Sequence, residues 1–406
     1  MIGRVVIKEG REKPILNQHP WIFSGAIAKA SDAEPGELVT VVAHDNSFLA
    51  RGYWNPQSQI QVRILTWHDE PIEDGWWKGM LRRAIEARTF YNWRQRNMRM
   101  PFGYRLINAE NDFIPGLIVD RYGDFLVLQA LTLYIDKHKA TFARWLNEIM
   151  HDLKMPIRGV YERSDVDVRR KEGLEMESGF LWGVEPPELV EMSNETCLRL
   201  VDIRNGHKTG YYLDQLGNQE AMSGFLVRHN LMNASASMLN LFSYTGGFGL
   251  AMVGKVVNVD SSREVLELGE EIYTRNGWTS DRVEFIQADV FDLLHAYTYE
   301  RRQFDIVILD PPKFAHNKQQ VEAASRGYKD LNMHALRAVK PGSFLFTFSC
   351  SGAIGPDLFQ KIVFGALADV KRQAQIVKNL GPGDDHPTAL TFPEGEYLKG
   401  LLLRVY

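Results

Sequence analysis

The sequence predicts a multidomain chain: a small β-barrel over 1–70, a central α+β domain over 71–190, and a C-terminal α/β doubly wound sheet over 191–406. Three observations predict it. At 406 residues the chain is longer than one compact core usually supports. Short β-rich runs broken by turn residues fill its first part. From residue 191 onward, apolar strands alternate with helical stretches as in repeated βαβ units.

In the first segment, Leu38–Val42, Phe48–Tyr53 and Ile60–Leu65 read as strands, separated by Pro35-Gly36, Asp45-Asn46 and Asn55-Pro56. Strands this short and closely spaced suit a small barrel. The second segment opens with a single helix from Trp76 to Arg94, with Met80, Ile85 and Phe90-Tyr91 set among arginines. Gly116–Tyr122 and Phe125–Gln129 flank Gly123-Asp124, a hairpin signal. A helix over Lys137–Met150, a strand near Gly159-Val160-Tyr161 and a hairpin within Glu175–Trp182 complete the unit.

The third segment holds five strands, Met238–Phe242, Val256–Val259, Val283–Gln287, Phe304–Leu309 and Ser343–Phe348, and an apolar tail, Tyr397–Tyr406, suited to a central or near-central strand. After the first comes Ser243-Tyr244-Thr245-Gly246-Gly247-Phe248-Gly249, a turn whose glycines permit close backbone approach to a nucleotide-like ligand. The second ends at Asp260, suited to accept both ribose hydroxyls of an adenosyl group. The third leads to Asp289, suited to the adenine amine, with Val290 or Phe291 over the ring. The fourth ends in Asp310-Pro311-Pro312. Singly, each aspartate fits a helix N-cap equally well. In order behind a glycine turn, they form an adenosyl site. No lysine-bearing phosphate loop is present, which argues against ATP hydrolysis.

The next strand, Ser343–Phe348, leads to Cys350, one of only two cysteines. A thiol and the Asp310 carboxylate, delivered by neighbouring strands to the ligand-binding edge, suit methylation of a pyrimidine carbon. S-Adenosyl-L-methionine therefore fits better than NAD. A buried core thiol is the plain alternative for Cys350. Only six residues separate Gly249 from Val256, so the helix after the glycine turn, roughly Phe248–Val253, has little more than one or two turns.

Net charge is −4, unlike an obligate nucleic-acid binder, but eight basic residues stand against Glu86 alone between Lys78 and Arg105. Phosphate backbone is the natural partner of such a one-signed stretch; a solvated face is the alternative. Cys197 and Cys350 make neither a disulfide framework nor a zinc spacing, and no structural metal is expected. With no signal peptide readable and no uninterrupted apolar span, a reduced cytoplasmic protein without membrane attachment is expected.

Several segments are more specific than these patterns. They are Arg204-Asn205-Gly206-His207-Lys208-Thr209-Gly210-Tyr211-Tyr212-Leu213-Asp214-Gln215, Asn240–Phe248, Asp310-Pro311-Pro312-Lys313-Phe314, Arg326-Gly327-Tyr328-Lys329-Asp330, Thr347-Phe348-Ser349-Cys350-Ser351-Gly352 and Phe392–Gly400. In them, and over close to its full length, the chain resembles the bacterial 23S ribosomal RNA large-subunit cytosine-5 methyltransferases. These combine a PUA domain, a central α+β domain and a class I adenosylmethionine-dependent domain. Gly10-Arg11-Glu12-Lys13 followed by His19-Pro20-Trp21-Ile22-Phe23-Ser24-Gly25-Ala26-Ile27 resembles a PUA-type RNA-binding domain, with Trp21 or Phe23 as core filling. The resemblance implies Cys350 as nucleophile and Asp310 at the polar edge of the base. It implies cofactor contacts from Tyr211, Asp214, Gln215, Phe242, Ser243, Tyr244, Thr245, Gly246, Asp260, Ser261, Asp289, Val290 and Asp310. Substrate contacts are expected from Lys208, Lys313, Phe314, Arg82 and Arg83, and the partner is 23S rRNA, naked or in an assembly intermediate, met by a monomer or homodimer.

Lys313 follows Pro312 where another branch of RNA cytosine methyltransferases carries a second cysteine, so the base that removes the C5 proton is not identified. Two rivals stay open. An rRNA base N-methyltransferase would use the same fold without the thiol. A non-catalytic RNA-binding or ribosome-assembly protein would use only the N-terminal half.

Overall fold

The computed structural model describes residues 2–98, 100–193 and 197–406. By contacts, the chain divides into two units. One comprises 1–195, 201–213 and 384–395; the other comprises 196–200, 214–383 and 396–406.

The first unit carries two sheets. The N-terminal one uses β1 (Gly3–Ile7), β2 (Trp21–Phe23), β3 (Ile27–Ser31), β4 (Leu38–Val42), β5 (Phe48–Trp54) and β6 (Ile60–Thr66), in the order β2-β6-β5-β4-β1-β3. It is a curled PUA-like sheet. β1 alternates buried and half-buried residues, placing Val5 and Ile7 in a core with Val39, Val41, Val62 and Ile64. Only α1 (Lys13–Leu16) interrupts these strands as an α-helix.

Where one helix was expected over Trp76–Arg94, there are two, α2 (Asp74–Glu86) and α3 (Thr89–Asn97). The break falls at Arg88, whose guanidinium turns inward to pair both nitrogens with Asp112, each at 2.7 Å. The second sheet contains β7 (Gly103–Asn108), β8 (Leu117–Tyr122), β9 (Phe125–Ala130), β10 (Gly159–Ser164) and β11 (Glu177–Gly183), ordered β11-β10-β9-β8-β7. β8 and β9 form the expected antiparallel hairpin. α4 (Leu133–Asp152) provides the crossover that parallel β9 and β10 need. Glu175–Trp182 forms no hairpin of its own; β11 is a single strand antiparallel to β10. Tyr53 and Leu65 from the first sheet lie in the core of the second, beside Trp77 and Tyr134.

β12 (Val190–Ser193) and β13 (Leu198–Val201) follow in the chain. The second unit begins its helices with α5 (Leu216–Arg228) and builds a seven-stranded sheet. Its strands are β14 (Ser237–Leu241), β15 (Lys255–Asp260), β16 (Val283–Gln287), β17 (Phe304–Leu309), β18 (Val339–Ser349), β19 (Ala374–Leu380) and β20 (Lys399–Val405). Their order is β16-β15-β14-β17-β18-β20-β19, parallel except that β20 runs against both neighbours. The helices α6 (Arg263–Arg275), α7 (Val290–Glu300), α8 (Val321–Ala338) and α9 (Pro356–Val370) link successive strands. β17 is buried on both faces, as expected of an inner parallel strand. The five strands expected here are all present, and the tail strand is β20, one place in from the edge. The edge strand β19 was not anticipated.

After β14 the chain turns to β15 on one side, and only after β16 does it return to β17 on the other. The switch point of this class I sheet therefore lies between β14 and β17, where an open α/β sheet leaves its ligand crevice. Among the described residues no helix is long and apolar enough to cross a membrane.

Candidate active site

The strand ends are level at this crevice. Leu241 pairs with Val259 and Leu309, and Leu309 with Thr347. The residues that follow, Phe242–Gly246, Asp260, Asp310 and Cys350, therefore emerge on one edge of the sheet.

The glycine turn is tightly wound. Phe242 and Tyr244 have φ of 56° and 50°, uncommon for bulky residues. Gly246 has φ of 82°, and a Cβ there would lie 2.8 Å from the Tyr273 ring. The Tyr273 hydroxyl donates to the Gly246 carbonyl at 2.7 Å, so α6 locks the turn from behind. Ser243 and Thr245 are buried within it. The expected helix over Phe248–Val253 shrinks to a 3-10 turn, Gly249–Ala251. No α-helical N-terminus therefore faces the crevice from this segment. The ligand-facing polarity here comes from the turn's backbone and the aspartates.

Asp260 is half-buried. Its Oδ2 accepts from the Tyr244 N–H at 2.9 Å and its Oδ1 from the Ser262 N–H at 3.1 Å. Each oxygen keeps a second lone pair, enough for the two hydroxyls of a ribose. Ser261, beside it, is exposed, and its carbonyl accepts from Gln287 Nε2 at 3.1 Å. Asp289 realises the capping alternative: its Oδ1 accepts from Phe291 N and Asp292 N at the start of α7. Both bonds use the same oxygen. Val290 is buried among Val259 and Leu294, whereas Phe291 is half-buried against that core and 6.3 Å from the Phe314 ring. The chemistry of this donor set fits an adenosyl group: carboxylates at adjacent strand ends and a backbone turn open to close approach.

Asp310 accepts from Gln215 Nε2 at 2.8 Å. Gln215 is buried and held in turn by Asn218, whose Nδ2 donates to Gln215 Oε1 at 2.6 Å and to the Gly381 carbonyl at 2.9 Å. Neighbouring Asp214 accepts from the Tyr397 hydroxyl at 2.7 Å. Thus the Asp-Gln pair of the long motif braces Asp310 and the segment leading into β20. Tyr211 belongs to the other unit, where its N–H donates to the Tyr122 hydroxyl at 3.2 Å.

Cys350 directly follows β18, half-buried, with Sγ 3.9 Å from the Pro311 carbonyl. The turn after it is fixed through Ser351, whose Oγ accepts from Ala315 N at 3.2 Å and meets the Tyr328 hydroxyl at 3.1 Å. Burial pushes the Tyr328 phenol up. Gly400 faces Phe348 across β18 and β20, and a Cβ there would lie 2.4 Å from the Phe348 ring. Lys399 lies opposite Ser349 and is 6% exposed. Sequence reasoning did not assign it a role; its burial depends on antiparallel pairing that no local pattern displays.

The expected RNA-facing residues have mixed settings. Lys313 is exposed, while Phe314 is half-buried, its ring 4.8 Å from that of Tyr328. Lys208 Nζ lies 4.5 Å from the centre of the Tyr212 ring. Arg82 pairs with Asp152 at 2.8 Å, and Arg83 sits over Phe113. Lys78 pairs with Glu148, and Arg105 is buried against Asp120. Arg94 is also buried, beneath Phe90 and Phe102. The one-signed stretch in the sequence is thus largely internal or paired; Arg99 lies outside the described residues. Trp21 and Phe23 do not fill the first core as expected. Trp21 is half-buried, with its Nε1 donating to Glu110 at 2.8 Å and its ring 4.7 Å from that of Phe392, and Phe23 is exposed.

Residues 5–67 match the model of a PUA-like domain, and residues 174–378 match that of an S-adenosylmethionine-dependent methyltransferase. The chain is 40% identical over 411 residues to ribosomal RNA large subunit methyltransferase I of Erwinia tasmaniensis, covering all of both chains. It is 43% identical over 414 residues to the protein of that name from Shewanella denitrificans, again over all of both. Among solved structures, a methyltransferase-type protein complexed with SAH superposes with a TM-score of 0.79 at 21% identity, and a Streptococcus mutans protein with 0.75 at 20%; each alignment covers all of both chains. Those two likenesses show the fold. On the sequence relatives and the matching domain models, the chain belongs to the ribosomal RNA large subunit methyltransferase I family of S-adenosylmethionine-dependent methyltransferases.

Proposed function

We propose that the chain methylates C5 of a cytosine in 23S rRNA through a covalent bond from Cys350 to C6 of the base. The observation that carries this reading is the placement of the Cys350 thiol, 3.9 Å from the carbonyl of Pro311 and hence beside Asp310, one strand over from the switch point of the sheet. The relatives' name supplies the large-subunit RNA.

Cytosine C5 is a weak nucleophile. Addition of the Cys350 thiolate to C6 turns the ring into an enamine-like species whose C5 carries electron density. Asp310, oriented by Gln215, holds N3 and the exocyclic amine as charge develops on the ring. S-Adenosylmethionine, when bound, supplies an electrophilic methyl group. Once C5 has been alkylated, its proton leaves to another base or to water, the C5–C6 double bond re-forms and Cys350 departs as thiolate. Asp260 takes the ribose, Asp289 and Phe291 the adenine, and Ser243–Gly246 the backbone contacts to the cofactor. Lys313 and Phe314 meet the RNA near the base, with Lys208, Arg82 and Arg83 on the substrate path.

The three-part division at about 70 and 190 assigns RNA capture to the first two parts. The setting is a cytoplasmic monomer or homodimer acting on naked rRNA or an assembly intermediate, because a paired base has to be flipped out before a pocket can take it. The test uses RNA bearing 5-fluorocytosine at the target. Fluorine cannot leave as a proton does, so the wild-type chain is expected to form a denaturation-resistant adduct. Cys350→Ala is expected to form neither adduct nor product. A fully active Cys350→Ala enzyme would overturn carbon methylation in favour of methylation at an exocyclic amine.

A further inference from the structure

β20 opens with a lysine where its sheet is closed to solvent. Lys399 is paired across the sheet with Ser349, one residue before the Cys350 thiol. It is 6% exposed, and its Nζ donates at 2.7 Å to the Ser351 carbonyl and at 2.7 Å to the Ile354 carbonyl. These carbonyls belong to the turn that carries Cys350 out of β18, and the Ser351 carbonyl also accepts from Ile354 N at 3.0 Å. Two carbonyls satisfy two of the three N–H donors of an ammonium. Among the described residues, no carboxylate makes an ion pair or hydrogen bond with Nζ.

An ammonium buried without a carboxylate is costly unless an anion comes to it. The charges around it are few. Cys350, when ionised, is the strongest influence favouring the ammonium, Glu396 favours it more weakly, and Lys313 opposes it. From α8, the Tyr328 phenol meets Ser351 on the other side of the turn. Asp310 stands at the end of β17, next to the Pro311 carbonyl that Cys350 approaches. Burial pulls the Lys399 amine down to about 8, so it is mainly protonated at neutral pH. It releases its proton as the pH rises through that value.

We propose that Lys399 is the positioning residue for Cys350: its ammonium clamps the turn that carries the thiol and supplies the positive charge that holds the sulfur as thiolate. The thiol proton goes to solvent and the lysine proton stays. This deepens the proposed reaction and rests on Cys350 being its nucleophile, but it concerns the thiol itself and can be read without RNA or cofactor.

The experiment measures the rate of Cys350 alkylation by iodoacetamide from pH 6 to 10, in the full chain carrying Cys197→Ser so that one thiol reports. The midpoint is expected below the value of about 8.5 for a free cysteine. Lys399→Met, which keeps the stem and removes the charge, is expected to raise that midpoint by about one pH unit and to slow alkylation at pH 7 by about tenfold. Lys399→Arg is expected to restore most of the shift. A clamp without electrostatic effect would change reactivity at every pH and leave the midpoint in place, and that result overturns the proposal. If Lys399→Met does not fold, the parent chain decides: a midpoint at or above that of free cysteine overturns the proposal as surely. Absence of the fluorocytosine adduct beside a lowered midpoint would count against the nucleophile alone.

Discussion

Gln215 offers the sharpest test of how the site is braced. Its Nε2 donates to Asp310 at 2.8 Å, and its own carbonyl is fixed by Asn218 at 2.6 Å. Leucine at this position keeps the bulk and removes both bonds. A hydrogen bond to a charged group contributes about 1.5–3 kcal/mol. If Asp310 must be aimed at the base edge as charge develops, Gln215→Leu should lower the methylation rate by roughly 10- to 150-fold, since about 1.4 kcal/mol is a factor of ten. The loss should fall on kcat, because the carboxylate is still present for ground-state binding but no longer held. Single-turnover transfer of labelled methyl to RNA isolates that step. Calorimetry with S-adenosylmethionine and a circular dichroism spectrum check that cofactor site and fold survive. A folded, cofactor-binding Gln215→Leu enzyme with an unchanged single-turnover rate would refute the bracing argument.

Asp260→Ala removes the acceptor of both the Tyr244 and Ser262 N–H groups as well as the proposed ribose contact. Calorimetry on the full chain is expected to show affinity for S-adenosylmethionine down by tenfold or more. Gly246→Ala forces a φ of 82° on a residue with a Cβ and drives that Cβ towards Tyr273. A cost of about 1–2 kcal/mol from the backbone alone should appear as a lower denaturation midpoint and weaker cofactor binding. Asp305 accepts from Ser237 and Lys340; burial pushes its carboxyl up, but those bonds prevail and hold it below its ordinary value. Its contribution is therefore present above the unfolded-state value of about 4 and lost as pH falls through the lower folded value. The denaturation midpoint of Asp305→Asn should respond less to acid in that window than the parent's. Glutamate at Arg82 and Arg83 should flatten the salt dependence of RNA binding if both meet phosphates; an unaltered slope would leave them as structural partners of Asp152 and Phe113.

What the sequence made legible was local. The turn Gly123-Asp124 sets the β8–β9 hairpin, the apolar stretch Ile306–Leu309 marks β17, and β16 and β17 have the bounds expected of them. β19 was missed because its pattern reads as surface: five of its seven residues are exposed, against two of five in the other edge strand, β16. The arginine stretch misled for the converse reason. Composition shows the charges of 78–105 but not that Arg88 and Arg105 find Asp112 and Asp120 once β7 and β8 have paired. Both partners lie outside the window that gave the stretch its one sign.

The same distinction runs through the site. Asp260, Asp310 and Cys350 could be picked out because each ends an apolar strand, and a parallel sheet delivers strand ends to one edge. The residues that hold them there could not be found that way. Gln215 precedes α5, Tyr273 sits on the back of α6, and Lys399 comes from the antiparallel strand β20; each meets its target through the sheet's order and not through neighbouring sequence. Chemistry carried by strand ends is therefore readable from one chain's periodicity, whereas its orientation is set by long-range pairing. The shortened turn after β14 makes that dependence greater here: with only a 3-10 turn at Gly249–Ala251, the glycine segment is shaped by Asp260 in front and Tyr273 behind. A change at either should therefore disturb the cofactor loop more than its own contacts alone would account for.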